Sequence, residues 1–176
     1  MGNDLMAYIQ KLELFGFFSG YCLIYTIISF SKSTNNGNAH TLLQKLVILL
    51  PYGYGLTATL YLGMSITNIS ANFSMRNFNE QFRLPFLQIF ALLAVFFWIP
   101  FISKKTILSL LHSLVFFFVL VKDIFIQLKL PQGTEIIRTD MKVFTDSLLL
   151  NLITLIFVAL MYFFFIYFVR SKKSSS

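Results

Sequence analysis

Residues 147–169 read SLLLNLITLIFVALMYFFFIYFV and contain no charged side chain. A helix needs about 20 apolar residues to cross a hydrocarbon core of about 30 Å, and this run has that length. Lipid offers no partner for backbone N–H and C=O groups, so a run of this kind satisfies them internally as a helix. Four more apolar runs precede it, at 14–31, 46–67, 84–102 and 106–126. Only the fourth holds charges, Lys122 and Asp123, both near its end. The near-continuous hydrophobicity of all five runs argues against the alternation of a membrane β-barrel. The sequence predicts an all-α, polytopic integral membrane protein: one transmembrane domain over 1–176, a compact bundle of five transmembrane helices without a soluble domain. Four spans are the alternative.

Composition agrees with this reading. Hydrophobic residues make up 57% of the 176 and charged residues 12%, with a mean hydropathy of +0.75. A soluble domain carries about a quarter charged residues. One cysteine excludes an internal disulfide framework and any CxxC or Cys/His zinc site. Two histidines exclude a site that needs three imidazoles. A net charge of +7 on so apolar a chain points to a membrane surface rather than to nucleic acid. The connections between runs are too short to bury a core of their own, so no soluble catalytic domain is expected.

The opening stretch MGNDLMAYIQKLE lacks a basic n-region, so no cleaved signal peptide is expected. Gly2 does not make a myristoylation site, because Met6 stands where that motif needs Ser or Thr. With five spans the chain ends lie on opposite sides. Basic residues divide evenly between the sides, but Lys32, Lys45, Lys104, Lys105, Arg170, Lys172 and Lys173 are packed into the shorter pieces. Their density places the C-terminus in the cytoplasm and the N-terminus outside or in a lumen. Asn68-Ile69-Ser70 and Asn72-Phe73-Ser74 match the glycosylation acceptor pattern on the outer side.

Helices in lipid associate through small residues and buried polar groups. Gly16 and Gly20 form a GxxxG in the first run, and Gly55, Thr59, Gly63 and Thr67 form a small-residue stripe in the second. These two faces are expected to mate with each other, or with a second subunit. Pro51, followed by Tyr52-Gly53-Tyr54-Gly55, marks the expected kink or unwound turn. An unwound turn would offer backbone groups to an ion or substrate; a simple proline kink would not. The short link 102–106 makes the third and fourth runs an antiparallel hairpin with Trp98 and Pro100 at its base. Most of the phenylalanines clustered in the last three runs are expected to face lipid or greasy neighbours rather than to build an aromatic cage.

Intramembrane polar groups are where function is first sought. Ser109, His112 and Ser113 share one face of the fourth run, and Ser147, Asn151 and Thr154 share one face of the fifth. Asp123 returns to nearly the azimuth of His112, and Gln88 is the only other strongly polar group well inside a run. Two readings stand. In one, this seam is a relay or ligand site with Asn151 bonded to His112. In the other, the same groups glue the helices together. The mixed segment 134–146 reads as a short interfacial helix, with Ile137, Met141 and Phe144 on one face.

No HExxH or GxSxG and no aspartate pair within two spans is present, so no catalytic residue, metal site or cofactor is assigned and an enzyme is not expected. The expected function is that of a small non-catalytic accessory or assembly subunit of a membrane complex. Its partners would be the bilayer and another membrane protein or a second copy, with no nucleic acid. The alternatives are an oligomeric channel or small-solute transporter along the Ser109/His112/Ser113 seam, and a lipid-binding protein or lipid-modifying membrane enzyme.

Overall fold

The computed structural model describes residues 12–34, 38–71, 86–127 and 133–174. These form α1 (12–18), α2 (Tyr21–Thr34), α3 (Asn38–Ala71), α4 (Phe86–Leu92), a 3₁₀ segment (Leu93–Trp98), α5 (Pro100–Ser103), α6 (Thr106–Gln127) and α7 (Gly133–Ser174), with no strand among the described residues. Four helical stretches are long and apolar enough to cross a membrane: Leu12–Ser33, His40–Thr67, Thr106–Ile126 and Thr139–Val169.

Side-chain pairs give the directions. Phe17 and Phe18 meet Tyr61, whereas Tyr21 meets Tyr54, so α1 and α2 run antiparallel to α3. Tyr25 bonds Thr106, Tyr21 bonds Ser109 and Phe18 stacks on Phe116, so they also run antiparallel to α6. Gly53 packs on Leu155 and Thr57 bonds Asn151, which makes α7 antiparallel to α3. Hence α3 and α6 point the same way, and the chain between them joins opposite ends of the bundle.

That joining stretch is the third of the five expected spans, and it is not one continuous helix. α4 tightens into the 3₁₀ segment, and Ile99 is extended (φ −75°, ψ 122°) ahead of Pro100. A residue before proline is driven out of the helical region by the pyrrolidine ring, which accounts for the interruption there. Phe86–Trp98 is therefore a shorter apolar helix and not a fifth long one.

Two further expectations change. α3 is helical through Pro51, Gly53 and Gly55, so of the two readings there the unwound turn is excluded and the proline kink remains. Pro51 lies well inside this 34-residue helix and is fully buried. The segment 134–146 is no separate interfacial helix either, because α7 runs unbroken for 42 residues. Met141 is exposed, Phe144 packs on the core, and Asp140 is buried at 2% exposure. Ile137 has no described side chain, nor has Asn68; Asn72 lies outside the described residues.

The core is aromatic. Phe15, Phe18, Tyr21, Tyr54 and Phe116 are among the largest fully buried side chains, joined by Leu50 and Leu120. Phe18 lies at its centre, edge-on to Tyr54 and Tyr61 and stacked on Phe116 at 5.1 Å. Such ring pairs add about 0.5–1.5 kcal/mol each beyond the area they bury. The C-terminal half of α7 is the opposite case: Leu160 through Phe165 are all exposed.

Candidate functional site

Ser113, Ser147 and Asn151 converge on a break in the first long helix. Helical bonding from α1 ends with Ser19 N donating to Phe15 O, and Ser19 Oγ donates to the same carbonyl at 2.6 Å. A serine hydroxyl on the i−4 carbonyl competes with the backbone and bends the helix. Gly20 N leaves the helix and donates to Ser147 Oγ of α7 at 2.9 Å. Phe17 O accepts from Asn151 Nδ2 at 2.8 Å, and Phe18 O accepts from Ser113 Oγ at 2.8 Å. Cys22 N then donates to that same Ser113 oxygen at 3.1 Å. One hydroxyl from α6 thus splices the chain across the break, donating on one side and accepting on the other. A buried backbone group left without a partner costs about 1–3 kcal/mol, so these side chains are what makes the break tolerable.

Gly20 is the position where glycine is required. A Cβ there would lie 2.7 Å from Leu148 Cα, against backbone that cannot yield. The GxxxG face therefore packs on α7, with Gly16 facing Val143 at 3.9 Å, rather than on the α3 stripe. In that stripe Gly55 faces Trp98, and Gly63 has nothing within 4 Å. Thr59 is half-buried and bonds Leu56 O within its own helix. Gly53, outside the stripe, approaches Leu155 Cα at 3.2 Å.

Asn151 is fully committed. Its amide donates to Phe17 O and to Ser147 O at 2.9 Å, while its oxygen accepts from Thr57 at 3.3 Å. Thr154 donates to Asn151 O and lies 3.0 Å from the Thr57 hydroxyl. Asn151 is thus engaged by α1 and α3, and His112 has other partners.

His112 sits in a separate nest of rings. Phe90 stacks on it at 4.3 Å and 12°, and Phe18, Phe97, Phe116 and Tyr54 surround the rest. Its Nε2 lies 2.8 Å from Phe90 O and its Nδ1 lies 2.8 Å from Tyr54 Oη. A carbonyl only accepts, so Nε2 carries the hydrogen. The neutral ring then accepts at Nδ1 from the Tyr54 hydroxyl. Phe90 is at the junction where closure shifts from the α to the 3₁₀ pattern, a shift that spares a carbonyl from the helical ladder. Beside it, Tyr21 donates to Ser109 Oγ at 2.7 Å, because Ser109 spends its own hydrogen on Thr106 O.

The structure therefore divides the expected seam. Ser113 and Asn151 serve the break, joined by Ser147; Thr154 serves the α3–α7 contact; Ser109 and His112 hold tyrosines. Tyr21, Tyr54, Thr57 and Phe90 were not singled out by sequence. Aromatic rings do gather about His112, contrary to the expectation that the phenylalanines build no aromatic cage. Among the described residues no group of three His, Cys, Asp or Glu side chains could hold a metal ion. Cys22 is buried and free.

Fold and site define a class: an all-helical apolar bundle whose polar side chains are turned onto its own interrupted backbone. No protein-family model matches the chain, and no curated protein and no solved structure matches it.

Proposed function

We propose that this chain is an integral membrane protein crossing the bilayer five times, and that it works as a non-catalytic accessory or assembly subunit. The fifth crossing is the broken stretch 86–103. Its support is the common direction of α3 and α6, since two successive long helices pointing the same way need a traverse between them. The N-terminus then lies outside and the basic C-terminus in the cytoplasm, the side where Lys104 and Lys105 also fall.

The observation that carries the subunit reading is the commitment of the buried polar atoms. Ser113, Asn151 and both nitrogens of His112 are bonded within the chain. A relay needs groups that can exchange partners along a path, and a satisfied internal network rigidifies instead. The apolar surface open to a partner's transmembrane helix is the end of α7, where Phe164, Phe165 and Tyr167 are more than 60% exposed. The test is purification from native membranes in a mild detergent, followed by mass determination of the intact particle. A stoichiometric second protein that crosslinks to a photoreactive residue at position 164 is the expected result. A closed homo-oligomer with no partner would favour the channel reading instead.

A further inference from the structure

One cleft of the bundle lies apart from the break in the first helix and from the His112 ring nest. It has a volume of about 490 Å³ and opens at the end where α2 finishes and α3 and α6 begin. Lys32 and His40 line it with the hydroxyls of Ser29, Ser33 and Thr106, and the Tyr25 ring forms part of its wall. Tyr25 donates to Thr106 Oγ1 at 3.2 Å, which ties α2 to the start of α6 beneath it.

Three independent features give this cleft one electrostatic sign. The first is Lys32 itself, in the last turn of α2. The second follows from the chain directions. Because α3 and α6 point the same way, the N-termini of two long helices, of 34 and 22 residues, meet at one end of the bundle. Their first residues, through His40 and Thr106, are in the cleft wall. Each such terminus carries about half a positive charge and unpaired N–H groups. The third is the absence of compensation. Glu13, Asp123, Asp140 and Asp146 all belong to the opposite end, so no described carboxylate lies at this one. Lys45, Lys104 and Lys105 belong to the same end and add to it.

We propose that this cleft binds an anionic phosphate group, the chemistry shared by the headgroup of an acidic phospholipid and by free phosphate. The hydroxyls and the imidazole supply hydrogen bonds to phosphate oxygens, and Lys32 with the two helix termini supplies the countercharge. In the bilayer placement proposed above, on which this inference rests, the cleft lies at the cytoplasmic headgroup level. An acidic phospholipid would seat its phosphate between α2, α3 and α6 and hold these three ends at a fixed spacing.

The test uses the full chain in a mild non-ionic detergent and counts bound lipid by native mass spectrometry. Phosphatidic acid and phosphatidylcholine are compared as probes. Phosphatidic acid should be retained in preference to phosphatidylcholine. Lys32→Gln should weaken that retention about fivefold, the worth of one basic residue at an anionic surface. Ser29→Phe fills the cleft without changing charge and should abolish retention. Lys45→Gln lies at the same end outside the cleft and should change it less than twofold. A millimolar inorganic phosphate chase that displaces the lipid assigns the site to free phosphate, and a lipid that stays assigns it to the headgroup. Equal retention of the two lipids, undiminished retention by Ser29→Phe, or an equal effect of Lys45→Gln would overturn the proposal. Release of the chain from membranes by alkaline carbonate would instead overturn the bilayer placement. A chain that resists carbonate but shows no preference removes the cleft alone.

Discussion

The helical path is interrupted at Ser19–Gly20 and again at Ile99, and the two interruptions are closed by different means. At the first, the backbone groups of Phe17, Phe18, Gly20 and Cys22 bond side chains from α6 and α7. At the second, Ile99 N donates to Phe96 O, and Ile99 O accepts from both Ile102 and Ser103. The first is wholly buried, with Ser19 at 0% exposure, whereas Ile99 is 44% exposed. Burial is the difference that matters. Where neither water nor the local chain can serve a freed backbone group, the fold imports a hydroxyl or an amide from elsewhere. A break near a surface can close on itself as a turn.

The largest test of this contrast is Gly20→Ala. The added Cβ meets the backbone at Ser147 and Leu148, so α7 must move and the bonds from Ser147 and Asn151 go with it. A loss of about 3 kcal/mol or more is expected, near the upper end for overpacking, read as thermal unfolding in detergent. Gly63→Ala, with open space around it, should stay within about 1 kcal/mol of the parent. Equal behaviour of the two glycines would break the comparison at its root.

Ser113→Ala comes next. It removes the donor to Phe18 O and the acceptor for Cys22 N in one step, with an expected cost of about 2 kcal/mol. The buried Cys22 thiol gives a local readout, because loosening the splice should speed its alkylation by a membrane-permeant maleimide. Global destabilisation without faster alkylation would show that Ser113 does not hold the break.

A smaller effect is expected at the ring nest, which should be independent of both interruptions. His112→Phe keeps the shape but strips partners from Tyr54 and Phe90 O. In a double-mutant cycle with Tyr54→Phe, a coupling of about 1 kcal/mol is expected, measured by unfolding in detergent. Additivity of the two substitutions would mean that the 2.8 Å contact contributes nothing.

Much of this was legible in the sequence, and the part that was not has a physical reason. Uncharged runs such as 147–169 announce helices directly, because hydropathy and length suffice. Ser109, His112, Ser113, Asn151 and Thr154 were also legible as buried polar groups, since apolar runs rarely carry such residues idly. Their partners were not. Helical spacing places a side chain on a face but says nothing about which helix meets that face. The relay reading therefore pairs Asn151 with His112, whereas its partners are carbonyls of Phe17 and Ser147 and the Thr57 hydroxyl. The interruption in the first run was missed for a related cause. Pro51 is the obvious breaker, yet α3 stays helical through it. At Gly20 the GxxxG pattern marked a close approach, but not that α7 makes it or that the chain breaks there. Pro100 was read only as the base of the hairpin, although the steric demand of a proline on the residue before it is local and accounts for the interruption at Ile99.

Pro100→Ala gives the smallest effect and the sharpest contrast. Pro100 is exposed and opens the four-residue α5, where its missing N–H is not needed for a helical bond. Alanine there releases Ile99 from its extended conformation and widens the unfolded ensemble. The expected cost is about 0.4–1 kcal/mol, carried by chain entropy rather than by a lost contact. Thermal unfolding in detergent reads it beside Ser113→Ala under one set of conditions. If the second interruption is closed locally, the Ser113 variant must lose more. A Pro100→Ala loss as large as that of Ser113→Ala would mean that the turn at Ile99 leans on distant helices after all. Its exposure would then be no guide to how it is held.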